Sequence, residues 1–103
     1  MARIDMLKEF LKENANDSFS RYALALEYAK LNQLDDARRE FETVRGNDPD
    51  YLATYYQLGQ LYLKLGLRHE AEQTFRTGIS VAVKQRDAHT QSELEAVLES
   101  ILM

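Results

Sequence analysis

The chain contains no cysteine. Disulfides and thiolate metal sites are therefore excluded, and the fold is indifferent to the redox state of its compartment. Proline occurs once and glycine four times, and no low-complexity segment is present. There is no excess of basic residues. The net charge of −4 argues against a partner held by its phosphate backbone, so nucleic acid is not expected. No stretch approaches the ~18 consecutive apolar residues of a membrane span. The opening residues Met1-Ala2-Arg3-Ile4-Asp5 lack the basic region and apolar run of a signal peptide, so the expected location is cytoplasmic.

Signals for catalysis are also missing. His69 and His89 have no companion at metal-ligand spacing, and neither an HExxH motif nor a Gly-rich phosphate loop occurs. Serines and threonines carry no nucleophile motif. The carboxylate pair Asp35-Asp36 falls at a helix start, where capping accounts for it. Arg38-Arg39 and Lys84–Arg86 lie beside acids and read as solvated faces. The expectation is a protein that is not an enzyme, with no cofactor, no metal and no catalytic residue.

What is present is a repeat. At an offset of 34 residues Tyr22 falls on Tyr56, Leu24 on Leu58, Tyr28 on Tyr62, and Lys30-Leu31 on Lys64-Leu65. Ala37 falls on Ala71, Phe41 on Phe75 and Thr43 on Thr77. A fixed period of this length marks a helical array in which each unit stacks on the next. Such arrays build binding surfaces rather than catalytic pockets. With 103 residues, 45 % hydrophobic and 29 % charged, there is room for one domain with a thin core.

Periodicity predicts six helices and no strand. Residues 4–13 place Ile4, Leu7, Phe10 and Leu11 on one face. A second helix is expected over about 18–31, with Leu24, Ala25, Tyr28 and Leu31 on one face. Asn32 and Gly66, one period apart, both suit a left-handed helix end. A third helix, about 35–45, turns Ala37, Phe41 and Val44 inward, with Gly46 as its cap and Pro49 as its stop. The fourth, about 51–65, shows Tyr55, Leu58, Gly59, Tyr62 and Leu65. The fifth, about 68–86, has Val83 in the place of Pro49 and is expected to run a turn longer. Thr90-Gln91-Ser92-Glu93 reads as a capping box for a sixth helix carrying Leu94, Val97, Leu98, Ile101 and Leu102.

These residues resemble the tetratricopeptide repeat family, whose unit is an antiparallel pair of helices, A and B. Tyr55, Leu58-Gly59, Tyr62, Gly66, Ala71 and Phe75 occupy the family's characteristic positions. The first unit matches at Leu24-Ala25, Tyr28, Asn32, Ala37, Phe41 and Pro49, but Arg21 replaces the expected aromatic, which suggests a looser edge. The resemblance implies an all-α, right-handed array of about two and a half repeats in one domain, 1–103. Residues 1–14 form a half-repeat helix resembling a lone B helix, 18–50 and 52–86 the two repeats, and 90–103 a capping helix.

By the same resemblance the A helices line a concave face. Its positions here are Phe19, Tyr22, Ala23, Leu26 and Ala29, then Ala53, Tyr56, Gln57, Gln60 and Leu63. Spacing agrees, since 19, 22, 26 and 29 form one stripe and 56, 60 and 63 another. Three readings stay open for these side chains: burial by neighbouring helices, a groove for a peptide or partner helix, and a homodimer interface. Large exposed apolar patches usually mark interaction sites, and amphipathic helices enter such grooves. Gln57 and Gln60 could hydrogen-bond a bound backbone. The expected role is a non-enzymatic protein-interaction module, with structural self-association as the alternative. Some family members grip a C-terminal carboxylate with Lys, Asn and Arg. Here Tyr22 and Leu26, then Gln57, then Asp87 and Gln91 stand in those places, so the resemblance does not extend to chaperone-tail binding.

Overall fold

The computed structural model describes residues 2–103. They form six α-helices in chain order: α1 (Arg3–Glu13), α2 (Ser18–Lys30), α3 (Leu34–Asn47), α4 (Ala53–Lys64), α5 (Arg68–Gln85) and α6 (Ala88–Leu102). No strand occurs among the described residues. The all-α architecture expected from the periodic stripes is the one observed. The chain groups into two compact units, the first ending at Thr54 and the second starting at Tyr55.

In the first unit α1 packs on α2 and α2 on α3. The Asp17 carboxylate starts α2 by accepting from the Ser20 N–H at 3.0 Å, which satisfies one orphan donor of the first turn. Leu24, Ala25 and Tyr28 of α2 and Ala37, Phe41 and Val44 of α3 are buried. Ala37 has no exposed surface, and its small side chain lets the two helices approach. Arg21 does not sit at a loose edge. Its guanidinium donates to the Glu40 carboxylate at 2.7 Å and to the Ala15 carbonyl at 2.8 Å, so a charged clasp stands where the aromatic was expected. On α1 only Leu11 is buried. Ile4 and Leu7 are half-buried, and Phe10, expected to face inward, is 48 % exposed.

In the second unit α4 packs on α5 and α5 on α6. Tyr55, Leu58, Tyr62, Ala71, Phe75, Ala82 and Leu94 form its core. Two glycines mark close approaches. A Cβ on Gly59 would run into the Phe75 ring, and one on Gly78 would lie 2.6 Å from the Tyr55 Cβ. α5 has 18 residues against 14 in α3, the extra turn expected where Val83 replaces Pro49.

Helix ends follow local chemistry, with two departures from expectation. Asn32 (φ 61°) and Gly66 (φ 76°) are both left-handed. Each lets the next N–H reach back over the helix end, Gln33 to the Tyr28 carbonyl at 2.9 Å and Leu67 to the Tyr62 carbonyl at 2.8 Å. Arg86 (φ 59°) closes α5 in the same way, with Asp87 donating to Ala82 at 2.9 Å. Gly46 is not a cap: α3 continues to Asn47 and ends on Asp48. Asp48 precedes Pro49, whose ring disfavours helical backbone at that position, so Pro49 alone sets the stop. Nor does Thr90 start α6. Asp87 does, its carboxylate accepting from the Thr90 N–H at 3.0 Å and the Thr90 hydroxyl at 2.9 Å. Asp caps as well as Thr, and it comes first after the left-handed turn. The last helix therefore begins at Ala88, not at about 90, and His89 lies in its first turn beside Glu93 at 3.6 Å.

Candidate functional site

Helical spacing puts Phe19, Tyr22, Leu26 and Ala29 on one stripe of α2. Phe19 is 66 % exposed. Tyr22, Leu26 and Ala29 are half-buried and Ala23 is buried. Tyr22 is held by rings on both sides. It meets Phe41 of α3 edge-on, with centroids 5.8 Å apart, and Tyr51 at 5.6 Å. Phe41 is itself buried, so one side of the Tyr22 ring rests on the core. Offset aromatic pairs of this geometry are favourable beyond their buried area.

The same arrangement recurs in the second unit. Tyr56 of α4 lies 6.5 Å from the buried Phe75 of α5 and is half-buried. Gln57, Gln60 and Leu63 are half-buried on the same helix, and Ala53 is exposed. Among the described residues the Gln57 and Gln60 side-chain amides have no hydrogen-bond partner. A half-buried amide without a partner retains two donors and an acceptor for a ligand.

Tyr51 was not singled out by spacing, because it precedes α4 and belongs to no helical stripe. The loop after Pro49 brings its ring to Tyr22. Burial raises its phenol pKa, and the nearby Asp17 and Asp48 charges raise it further. Asp48 accepts from the Ser18 hydroxyl at 2.7 Å. Hydrogen bonds from the Ser20 side chain and backbone N–H hold the Asp17 carboxyl below its usual range. These groups are engaged in capping and packing. Among the described residues no group of three or more His, Cys, Asp or Glu could hold a metal ion, and no helix is long and apolar enough to cross a membrane.

The family model of the tetratricopeptide repeat matches residues 28–92. The chain belongs to the tetratricopeptide-repeat family. Solved structures agree. A tetratricopeptide repeat domain protein from Salinibacter ruber is 39 % identical, with a TM-score of 0.80 over 82 % of this chain and 86 % of that one. Protein BPP2914 from Bordetella parapertussis is 24 % identical, with a TM-score of 0.84 over 99 % of this chain and 89 % of that one. PcrH, solved in complex with the chaperone binding region of PopD, shares the fold with a TM-score of 0.89 at 16 % identity, over 96 % of this chain and 75 % of that one. Among curated proteins none matches. A tetratricopeptide-repeat fold is a scaffold for contacts between proteins, and this chain carries that fold.

Proposed function

We propose that this tetratricopeptide-repeat protein is a non-enzymatic interaction module that takes a peptide or partner helix on its A-helix stripes. Each unit carries its own stripe: Phe19, Tyr22 and Leu26 of α2 in the first, and Tyr56, Gln57, Gln60 and Leu63 of α4 in the second. The observation that carries this reading is the repeated seat of Tyr22 on Phe41 and of Tyr56 on Phe75. An aromatic side chain already held by a neighbouring ring loses little side-chain entropy when a partner contacts it. The unpartnered amides of Gln57 and Gln60 suit the backbone of a bound segment. PcrH, of the same fold, is a precedent for a bound segment of another protein.

The test uses residues that the core does not need. Phe19→Ser, and Gln57→Ala with Gln60→Ala, are expected to leave the melting temperature within a degree or two. The same variants should reduce capture of a stoichiometric partner from the native lysate, with the captured mass measured alongside. Capture that survives both changes removes the binding role from these stripes. A pure dimer of this chain, weakened by the same changes, replaces a foreign partner with a second copy.

A further inference from the structure

The face of α1 beside its buried edge is largely exposed. Met6 is 57 % exposed and Phe10 48 %. With Arg3, Leu7 and Ser20 of α2 they line a cavity of about 530 Å³. The internal repeat offers a comparison. One period later Leu7, Phe10 and Ser20 become Phe41, Val44 and Thr54, and all three are fully buried. Phe41 is covered by Tyr22 of α2, its partner helix. Met6 and Phe10 instead keep about half of their surface open to solvent.

The charge pattern names the occupant. Arg3, Met6, Phe10 and Glu13 follow at steps of three, four and three, on one helical face. The stripe reads basic, apolar, apolar, acidic. Laid antiparallel on a copy of itself, it sets opposite charges together at both ends and apolar side chains together in the middle. Laid parallel, it sets like charges together. Arg3 uses its Nε on Glu27, at 3.0 Å, which leaves the terminal nitrogens of its fork for a second carboxylate. Glu13 is exposed and makes no ion pair among the described residues.

We propose that this face of α1 pairs antiparallel with the same face of a second copy. Met6 packs against the partner's Phe10, and Arg3 meets the partner's Glu13, with both contacts repeated by the two-fold axis. Self-complementary contacts of this kind are the usual route to a dimer. α1 is 11 residues long, about 16 Å. A contact confined to it falls below the roughly 1,200 Å² of stable complexes, so the dimer is a transient one that forms at high chain concentration. None of the A-helix stripe residues takes part.

Sedimentation equilibrium over a concentration series reaching millimolar chain tests the pairing. The wild-type mass is expected to rise from one chain towards two. Phe10→Glu should stay at one chain with its melting temperature unchanged. Glu13→Lys should weaken the dimer several-fold. An equimolar mixture of Glu13→Lys with Arg3→Glu should associate more tightly than either alone, because the mixed pair restores opposite charges at both ends. A wild-type chain that remains single throughout overturns the proposal, as does a Phe10→Glu chain that dimerises like wild type. A mixture no tighter than its components overturns the antiparallel register. If Arg3→Glu loosens α1 by repelling Glu27, a lowered melting temperature reveals it, and the Phe10 and Glu13 variants decide alone.

Discussion

The guanidinium of Arg21 on α2 donates to the carboxylate of Glu40 on α3 at 2.7 Å, with both side chains more than four-fifths buried. Water screens this pair less than a surface ion pair, and its alignment makes it a charge-assisted hydrogen bond. Removing either partner leaves the other poorly satisfied. Arg21→Ala and Glu40→Ala are each expected to lower unfolding stability by about 1–2 kcal/mol. The double variant should lose less than the sum, a coupling that a double-mutant cycle in urea detects. Additive losses would show that the pair contributes nothing as a pair.

Glycine to alanine should have opposite signs at two positions. At Gly59 the added methyl meets the ring of Phe75, which is fully buried and cannot retreat. The expected cost is about 1–3 kcal/mol. At Gly46, inside the last turn of α3, nothing lies within 4 Å of the added methyl. There the better helix former should stabilise by up to about 1 kcal/mol. Chemical denaturation of the two variants side by side checks both signs.

Left-handed helix ends supply a second opposed pair. Gly66→Ala places a Cβ at φ 76° and should cost about 1–2 kcal/mol. Arg86 already holds φ 59°. Arg86→Gly relieves that strain, less the flexibility glycine adds to the unfolded chain, for a net gain of roughly 0.5–1 kcal/mol. A fall in melting temperature for Arg86→Gly would mean that the arginine side chain contributes more than its backbone costs.

Acid sensitivity should trace to two caps. Hydrogen bonds from Ser20 lower the pKa of Asp17, and those from Thr90 lower that of Asp87. A carboxyl whose folded pKa lies below its unfolded value stabilises the fold above the unfolded value. That stability is lost as the pH falls through the folded value. Stability should therefore hold from neutral pH down to about 4 and decline below it. Asn caps a helix as well as Asp but does not titrate. Asp17→Asn with Asp87→Asn should keep neutral-pH stability and flatten the acid limb of a melting-temperature profile. An unchanged limb would place the acid sensitivity in other carboxylates.

Local chemistry was legible in the sequence where a single residue type decides the backbone. Asn32 and Gly66 announced their left-handed turns, and Pro49 announced the end of α3. Arg86 did not, because arginine has no intrinsic preference for that conformation and only the following Asp87 cap explains the turn. The stripes of α2 and α4 could be read from spacing. The seats of Tyr22 and Tyr56 on Phe41 and Phe75 could not, since they join helices 19 residues apart in the chain. Phe10 shows the limit most clearly. Periodicity identifies an apolar face, but not whether a neighbouring element covers it.

The close approach of Gly78 to Tyr55 bears on how this pair of repeats diverged. One period earlier the same two positions hold Val44 and Arg21. In the second unit, an aromatic ring on α4 is tolerated because α5 offers no side chain beneath it. In the first, a branched side chain fills that place, and the facing residue reaches away to Glu40 instead. The two solutions exchange bulk between partners: a side chain can stand at position 78 only if the residue at position 55 gives way, as Arg21 does in the first unit.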